Sequence, residues 1–292
     1  METLRTVAQV RDRVRRVRAD GGRVGLVPTM GALHEGHLSL VRMARRDCDL
    51  VVVSLFVNPA QFGEESDLAS YPRTEARDAE LAAGAGADLL FAPAVAEVYP
   101  DGFATTVRVT GVTEHWEGEH RGAAHFDGVA TVVAKLFAMV APDLAYFGQK
   151  DAQQVAVVRR MVTDLNLPVE IRVGPTVREP DGLAMSSRNV RLRPEDRERA
   201  LSLRAGLDAV QATIRDGADG ADGADGADGL DSAVRAGVEA MRSRGVEPEY
   251  LALVDPETFA PVVDLSGPAL AVVAARVGDV RLIDNLPVEA SA

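Results

Sequence analysis

The chain has 292 residues, 47% of them hydrophobic and 26% charged, and a formal net charge of −12. That length suffices for one large α/β domain or two modest ones, and the acidic balance excludes a broad nucleic-acid footprint, which needs clustered Lys and Arg. A single cysteine, Cys48, excludes an intramolecular disulfide and fits a reducing cytoplasm, the expected location.

Met1 to Asp20 alternates Arg with Val and carries Glu2 and Asp12, which predicts a surface helix and no signal peptide. No apolar stretch approaches roughly 18 residues, so no membrane span is expected. From Arg23 to about Pro175 strand-like and helical patterns alternate, as in βαβ units on a parallel sheet. Gly25 to Pro28 reads as a strand. Leu38, Val41 and Ala44 recur at helical spacing and predict a helix over Glu35 to Arg46. Leu50 to Val57, a valine-rich run, predicts a strand covered on both faces. Cys48 lies just before it with no histidine nearby in sequence, so it reads as a packing residue and not a nucleophile. A helix over Thr74 to Ala83, a strand over Asp88 to Phe91, a helix over Gly128 to Met139, a strand over Leu144 to Phe147, a helix over Ala152 to Leu165 and a strand over Val169 to Val173 follow.

After Pro175 the pattern changes. Arg193-Pro194-Glu195-Asp196 opens a long helix, with proline and acids in its first turn. Between Asp216 and Gly229 the triplet Asp-Gly-Ala repeats; the run is too short and too poor in proline for collagen and reads as a flexible surface linker. A helix over Leu230 to Arg244 and strands over Tyr250 to Val254, Leu270 to Ala275 and Val280 to Ile283 complete a small α+β domain. The expected division is 1–175 and 176–292, with the insert at 216–229 inside the second part.

Three segments carry the chemistry. Pro28-Thr-Met-Gly-Ala-Leu-His34-Glu-Gly-His37 joins a strand to a helix, where ligands bind in open α/β sheets and free N–H groups favour anions. His34 and His37, three apart, project from one face and can donate to phosphate oxygens and to a leaving pyrophosphate; Gly36 leaves room for close approach. Metal ligation is disfavoured, because His-Glu-Gly-His lacks the His-Glu-x-x-His spacing. The second segment, Phe147-Gly-Gln-Lys150-Asp151-Ala-Gln153-Gln154, again runs from strand to helix. Its Lys150 is one of only two lysines, with Lys135, against thirty arginines, and suits a point charge on phosphate. Asp151 suits ribose hydroxyls, or a helix cap. In the third, Gly182-Leu-Ala-Met185-Ser-Ser-Arg188-Asn189, two hydroxyls and an arginine form a candidate mobile clamp on a triphosphate. Gly84-Ala-Gly86-Ala precedes a strand where a dinucleotide fingerprint follows one, and no P-loop motif is present.

These residues carry a resemblance. Pro28 to His37 is similar to the His-x-Gly-His signature of the nucleotidyltransferase superfamily, and Met185-Ser-Ser-Arg to its second loop. Phe56-Val-Asn-Pro-Ala-Gln61-Phe, Tyr71-Pro-Arg73, Phe147-Gly-Gln-Lys-Asp and Asp181-Gly-Leu-Ala-Met-Ser-Ser-Arg-Asn resemble the pantothenate synthetase family within it, in order from about residue 24 to 193. The resemblance implies a Rossmann-like ATP- and pantoate-binding domain, a smaller C-terminal lid domain and a homodimer. It implies an ATP-dependent carbon–nitrogen ligase that adenylates pantoate and joins it to β-alanine. Met30, Gly31, Ala32, Leu33, His34, Glu35, Gly36 and His37 would contact ATP, with His37 the principal catalytic histidine. Gly148, Gln149, Lys150, Asp151, Val177, Met185, Ser186, Ser187 and Arg188 would complete the ATP site. Gln61 and Gln154 would hold pantoate, and Asp78 would help position Mg2+. Charge stabilisation on the phosphates falls to His34, His37, Lys150, Ser186, Ser187 and Arg188. Two departures stand out: Gln149 where the family often has Glu, and Arg121-Gly-Ala-Ala-His125-Phe126, one residue longer than the family's Arg-Pro-x-His-Phe and bordering its β-alanine side. Two alternatives are a nucleotidyltransferase that moves AMP onto a phosphate acceptor and a non-enzymatic nucleotide-binding regulator. The first would need extra basic residues where this chain offers Gln61 and Gln154.

Overall fold

The structure, a computed structural model, describes residues 1–62, 68–69, 71–218 and 227–288. Contacts divide the chain into two compact units, Met1–Gln149 with Gln153–Val177 and Arg178–Ala292 with Lys150–Ala152.

The first unit is a six-stranded sheet in the order β1-β4-β3-β2-β5-β6, every pairing parallel. Its strands are β1 (Glu2–Leu4), β2 (Val24–Thr29), β3 (Leu50–Leu55), β4 (Leu89–Phe91), β5 (Leu144–Gly148) and β6 (Glu170–Gly174). The central strands read as continuous apolar runs because both faces are covered: Val24, Leu26 and Val27 on β2 and Val51, Val52 and Val53 on β3 are fully buried. Between them run α1 (Val7–Ala19), α2 (Glu35–Asp47), α3 (Glu75–Ala85), α4 (Val95–Val98), α5 (Glu117–Arg121), α6 (Ala123–Val140) and α7 (Ala152–Asp164). One face of the sheet packs Val41, Ala44, Cys48, Ala82 and Tyr146 into a single cluster. Cys48 sits there with its thiol 3.6 Å from the Tyr146 hydroxyl, and burial pushes the thiol up from its ordinary range, as a packing residue requires.

Two expectations need correction here. The N-terminal segment is not all helix: Glu2–Leu4 pairs with Leu89–Phe91 as an edge strand, because Leu4 is the one buried residue of a stretch too short to show alternation. And α6 does reach membrane-spanning length and apolarity, 18 residues at mean hydropathy 1.4, yet 67% of it is buried inside the fold.

The second unit places α8 (Pro194–Ala200), α9 (Ser202–Ala218) and α10 (Ala227–Arg242) against an antiparallel sheet β7 (Pro248–Val254), β8 (Ala269–Val277), β9 (Val280–Val288). Leu203, Leu207, Val210 and Ile214 on α9 pack with Leu230 and Met241 on α10 and with Val273 and Ala275 on β8. The helix expected from Pro194 is interrupted at Leu201; apolar spacing continues through the break, and neither Gly nor Pro marks it. Of the Asp-Gly-Ala insert, Asp216 to Ala218 and Ala227 to Gly229 are helical, so the linker reading fails at both ends, and 219–226 lie outside the described residues.

Candidate functional site

The sheet order reverses between β2 and β5: from β2 the chain moves outward through β3 and β4, then returns to β5 on the other side. Ligands of open α/β sheets bind outside the carboxyl ends of strands at such a switch point. Met30 to His37 leaves the carboxyl end of β2, and Gly148 ends β5.

The turn after β2 is built from side-chain acceptors. Gly31 and Ala32 both have positive φ, +90° and +51°, which takes their amides out of any regular backbone pattern. Gly31 N–H donates to Thr29 Oγ1 (3.3 Å), Ala32 N–H to Asp78 Oδ2 (3.0 Å), Leu33 N–H to Asp78 Oδ1 (2.8 Å) and His34 N–H to His37 Nδ1 (3.3 Å). Gly36 N–H then donates to His34 Nδ1 (3.2 Å), so α2 starts with a capping box in which both side chains are imidazoles. A backbone N–H can only donate, so both Nδ1 atoms are unprotonated and the neutral rings carry their proton on Nε2. Two Nε2–H donors thus sit at a positive helix end, the chemistry that binds an anion. The rings lie 4.1 Å apart, centre to centre. Gly36 is required for the same reason: a Cβ there would stand 2.9 Å from His34 Cε1. Glu35, expected among the ATP contacts, gives its carboxylate to Arg42 (2.5 and 3.1 Å), and those bonds hold it below the usual carboxylate range.

Gln61 is fixed from three sides. Its Nε2 donates to Met30 Sδ (3.1 Å), its Oε1 accepts from Asn58 Nδ2 (3.1 Å) and its carbonyl accepts from His125 Nδ1 (2.8 Å). Asn58, to which sequence reasoning gave no role, is buried and also donates to the Gly128 carbonyl (3.1 Å) while accepting from the Tyr99 hydroxyl (2.8 Å). His125 reaches Gln61 despite the longer Arg121-to-His125 segment, because Gly122 at φ +78° turns the chain between α5 and α6. Arg121 pairs with Glu117 (2.9 Å). On α7, Gln154 is half-buried; its neighbour Gln153 is buried and donates to the carbonyls of Val112 and His115 (2.8 and 2.9 Å) while accepting from Glu117 N–H (3.0 Å). It thereby holds Trp116 in a left-handed conformation, φ +56°, a role no motif announced. Beside Val177, the Thr176 hydroxyl is buried with no hydrogen-bond partner among the described residues.

In the second unit, Lys150 Nζ lies 3.8 Å from Asp151 Oδ1, and the Lys150 carbonyl accepts from Asn285 Nδ2 (2.9 Å). The Met185-to-Arg188 loop is braced rather than loose. Ser186 Oγ accepts from Arg188 N–H (3.2 Å), and buried Asn189 ties Glu179 to the Ala184 carbonyl (2.7 and 3.0 Å). Arg178 makes a two-point ion pair with buried Asp284 (2.6 and 3.0 Å). Ser187 and Met185 are half-buried on this loop.

Asp78 is the clearest departure from expectation. Its side chain is 1% exposed, and its two oxygens are engaged by Ala32, Leu33 and the Thr74 hydroxyl (3.1 Å). The family resemblance implied a part in positioning magnesium; here the carboxylate is buried, and three inward donors make it part of the turn. Among the described residues no three His, Cys, Asp or Glu side chains form a metal-holding group.

A doubly wound parallel sheet with paired imidazoles capping a helix at its switch point defines an α/β protein of the class whose ligand sites lie at strand ends beside helix starts. More particularly, the chain belongs to the pantoate–β-alanine ligase family, whose model matches residues 2–287. It is 50% identical over 291 residues to the pantothenate synthetase of Rhizorhabdus wittichii, covering 99% of each chain. Its fold is similar to the crystal structure of pantothenate synthetase from Thermus thermophilus, with TM-score 0.88, 51% identity, and 98% and 99% of the two chains covered. It also resembles the pantoate–β-alanine ligase of Francisella tularensis, solved in complex with beta-gamma ATP and beta-alanine, with TM-score 0.76, 32% identity, and 98% and 97% covered.

Proposed function

We propose that this chain condenses pantoate with β-alanine at the expense of ATP, through a pantoyl adenylate. The observation that carries the reading is the His34–His37 capping box, which presents two Nε2–H donors at the start of α2. In the first step a pantoate carboxylate oxygen attacks the α-phosphorus, the bond to the β-phosphate breaks, and pyrophosphate leaves with the electron pair. A carboxylate is already nucleophilic, so the residues' work is positioning and charge stabilisation. His34 and His37 meet the phosphates through Nε2–H. Lys150, Ser186, Ser187 and Arg188 supply further donors by the motif resemblance, and Gly148, Gln149, Asp151, Val177 and Met185 contact ATP by the same resemblance. In the second step the amine nitrogen of β-alanine attacks the acyl carbonyl, the C–N bond forms, AMP departs, and the surplus ammonium proton passes to solvent. Gln61, held beside Met30 and Asn58, and Gln154 bind pantoate's polar groups by the same motif resemblance.

Magnesium enters as part of the Mg·ATP substrate, since Asp78 turns its oxygens into the protein. A homodimer and a cytoplasmic location belong to the same reading, and sedimentation of the purified protein tests the first. The decisive assay omits pantoate and β-alanine in turn. Pyrophosphate release that needs pantoate, with AMP turnover only when β-alanine is added, is the expected result. Pyrophosphate independent of pantoate would overturn the substrate assignment. Replacing His37 by alanine removes one oxyanion-type donor and should lower pyrophosphate release by roughly 10²–10³-fold; near-normal turnover would remove His37 from the mechanism.

A further inference from the structure

The turn that presents the two histidines is held through side chains: the N–H groups of Gly31, Ala32, Leu33 and His34 donate to Thr29, to Asp78 twice, and to His37. Asp78 therefore supplies two of these four acceptors, at the centre of the turn and on either side of the Ala32–Leu33 peptide. It does so from a distant part of the chain, the first turn of α3. Thr74, the residue at the N-cap of α3, likewise makes no cap bond through its side chain and donates to Asp78 Oδ2 instead (3.1 Å). The fit is close on the other side too. A Cβ on Gly31 would lie 3.1 Å from Asp78 Oδ2, so the carboxylate fills the space that glycine leaves. Ala32 sits in the left-handed region at φ +51°, a conformation that costs a non-glycine residue free energy and persists only when its surroundings hold it.

We infer that Asp78 is a positioning residue for the proposed reaction: it fixes the Gly31–Leu33 turn and, through that turn, the placement of His34 and His37 against the phosphates. The inference rests on the proposed function for its catalytic consequence and on the hydrogen-bond geometry for its structural part. The two parts are separately measurable. The role differs from metal ligation in a simple way. A ligand to magnesium faces solvent or substrate with at least one oxygen, whereas Asp78 directs both oxygens at backbone amides from beneath the turn. Loss of a positioning group acts on the rate at saturating substrate, since displacement by about 1 Å is enough to cost on the order of 10²-fold. Loss of a metal ligand acts on the magnesium requirement.

The test compares Asp78→Asn and Thr74→Val with the unsubstituted protein. Asn keeps the size of the side chain but sets an NH2 group against one of the two amides, so one hydrogen bond becomes a donor–donor contact. Pantoate-dependent pyrophosphate release at saturating ATP and pantoate is measured across a magnesium titration. Amide hydrogen exchange is followed at Ala32 and Leu33. For Asp78→Asn the expected result is a fall on the order of 10²-fold in the saturated rate, an unchanged magnesium half-saturation point, and exchange at Ala32 and Leu33 faster by about tenfold or more. Thr74→Val should show the same pattern at smaller size, and it decides the matter if Asp78→Asn does not fold. Unchanged exchange at the two amides would overturn the inference, as would a rate restored by excess magnesium. Should the unsubstituted protein release no pyrophosphate, the functional reading fails, while the exchange data still decide whether Asp78 holds the turn.

Discussion

A capping box ordinarily pairs a Ser or Thr hydroxyl with a Glu or Gln side chain, as Thr6 and Gln9 do at α1; at α2 two imidazoles do the same work. The substitution matters because an imidazole used as an acceptor at Nδ1 carries its donor on a separate atom, Nε2, whereas a serine hydroxyl accepts and donates through the same oxygen. Helix cap and side-chain donor become one structure. Two phenols carry the alkaline pH response. Burial raises the Tyr99 phenol to about 12, against its ordinary value of 10.0, and Tyr146, 3.0 Å from Asp47 Oδ2, is shifted the same way by burial first and its neighbours second. A phenol whose folded value is raised stabilises the fold fully below its unfolded value and loses that contribution as pH climbs through the folded one. Stability should therefore decline between about pH 10 and pH 12. Tyr99→Phe should start from a lower Tm at pH 7, having lost its bond to Asn58 Oδ1. Its Tm should then fall less steeply than the unsubstituted protein's over that window. Parallel curves from thermal melts at each pH would rule Tyr99 out as a contributor.

At the scale of elements, α6 shows how packing against a functional turn constrains a helix. Gly128 faces the 59–61 turn so closely that a Cβ would fall on the Ala60 carbonyl and Gln61 amide, and the Gly128 carbonyl accepts from Asn58 Nδ2. Gly128→Ala replaces a residue of poor helix propensity by the best one, which by local rules should stabilise. The clash should dominate, because backbone on both sides has no rotamer with which to yield: we expect a loss of about 1–3 kcal/mol and a weaker apparent affinity for pantoate as Gln61 is displaced. Urea unfolding that finds the alanine protein equally or more stable would show that the contact is loose.

The whole chain comprises two units, each with its own apolar core. In the second, α9 and α10 run antiparallel with glycines at their closest approach. A Cβ on Gly206 would meet Met241 Cγ at 2.8 Å, and one on Gly237 would meet Val210 Cγ2 at 2.7 Å. This pairing holds the two helices independently of the stretch that joins them. Helix–helix connections need only about 2–8 residues, so replacing 219–226 by a four-residue Gly-Ser turn should leave kcat/KM within about twofold and the Tm nearly unchanged. A marked loss of activity in the pyrophosphate assay would give the Asp-Gly-Ala insert a role that its composition does not suggest.

Much of this was legible in the sequence, for physical reasons that can be stated. The valine runs of β2 and β3 betray strands buried on both faces, and the 3.6-residue spacing of Leu38, Val41 and Ala44 betrays α2, because local patterns follow from burial. The strand-to-helix junction that carries His34, Gly36 and His37 was legible too, since those residues are neighbours in the chain. Edge strand β1, the break at Leu201 and the left-handed Trp116 left no such trace; β1 is imposed by Leu89–Phe91 and Trp116 by Gln153, partners far along the chain. Asp78 gives the sharpest contrast. The family resemblance implied a carboxylate near magnesium, whereas the fold buries it under Ala32 and Leu33. Which way a side chain faces depends on the packing of α3 beneath the β2–α2 turn, and a residue 46 positions from its partner acquires that partner only when the sheet has formed.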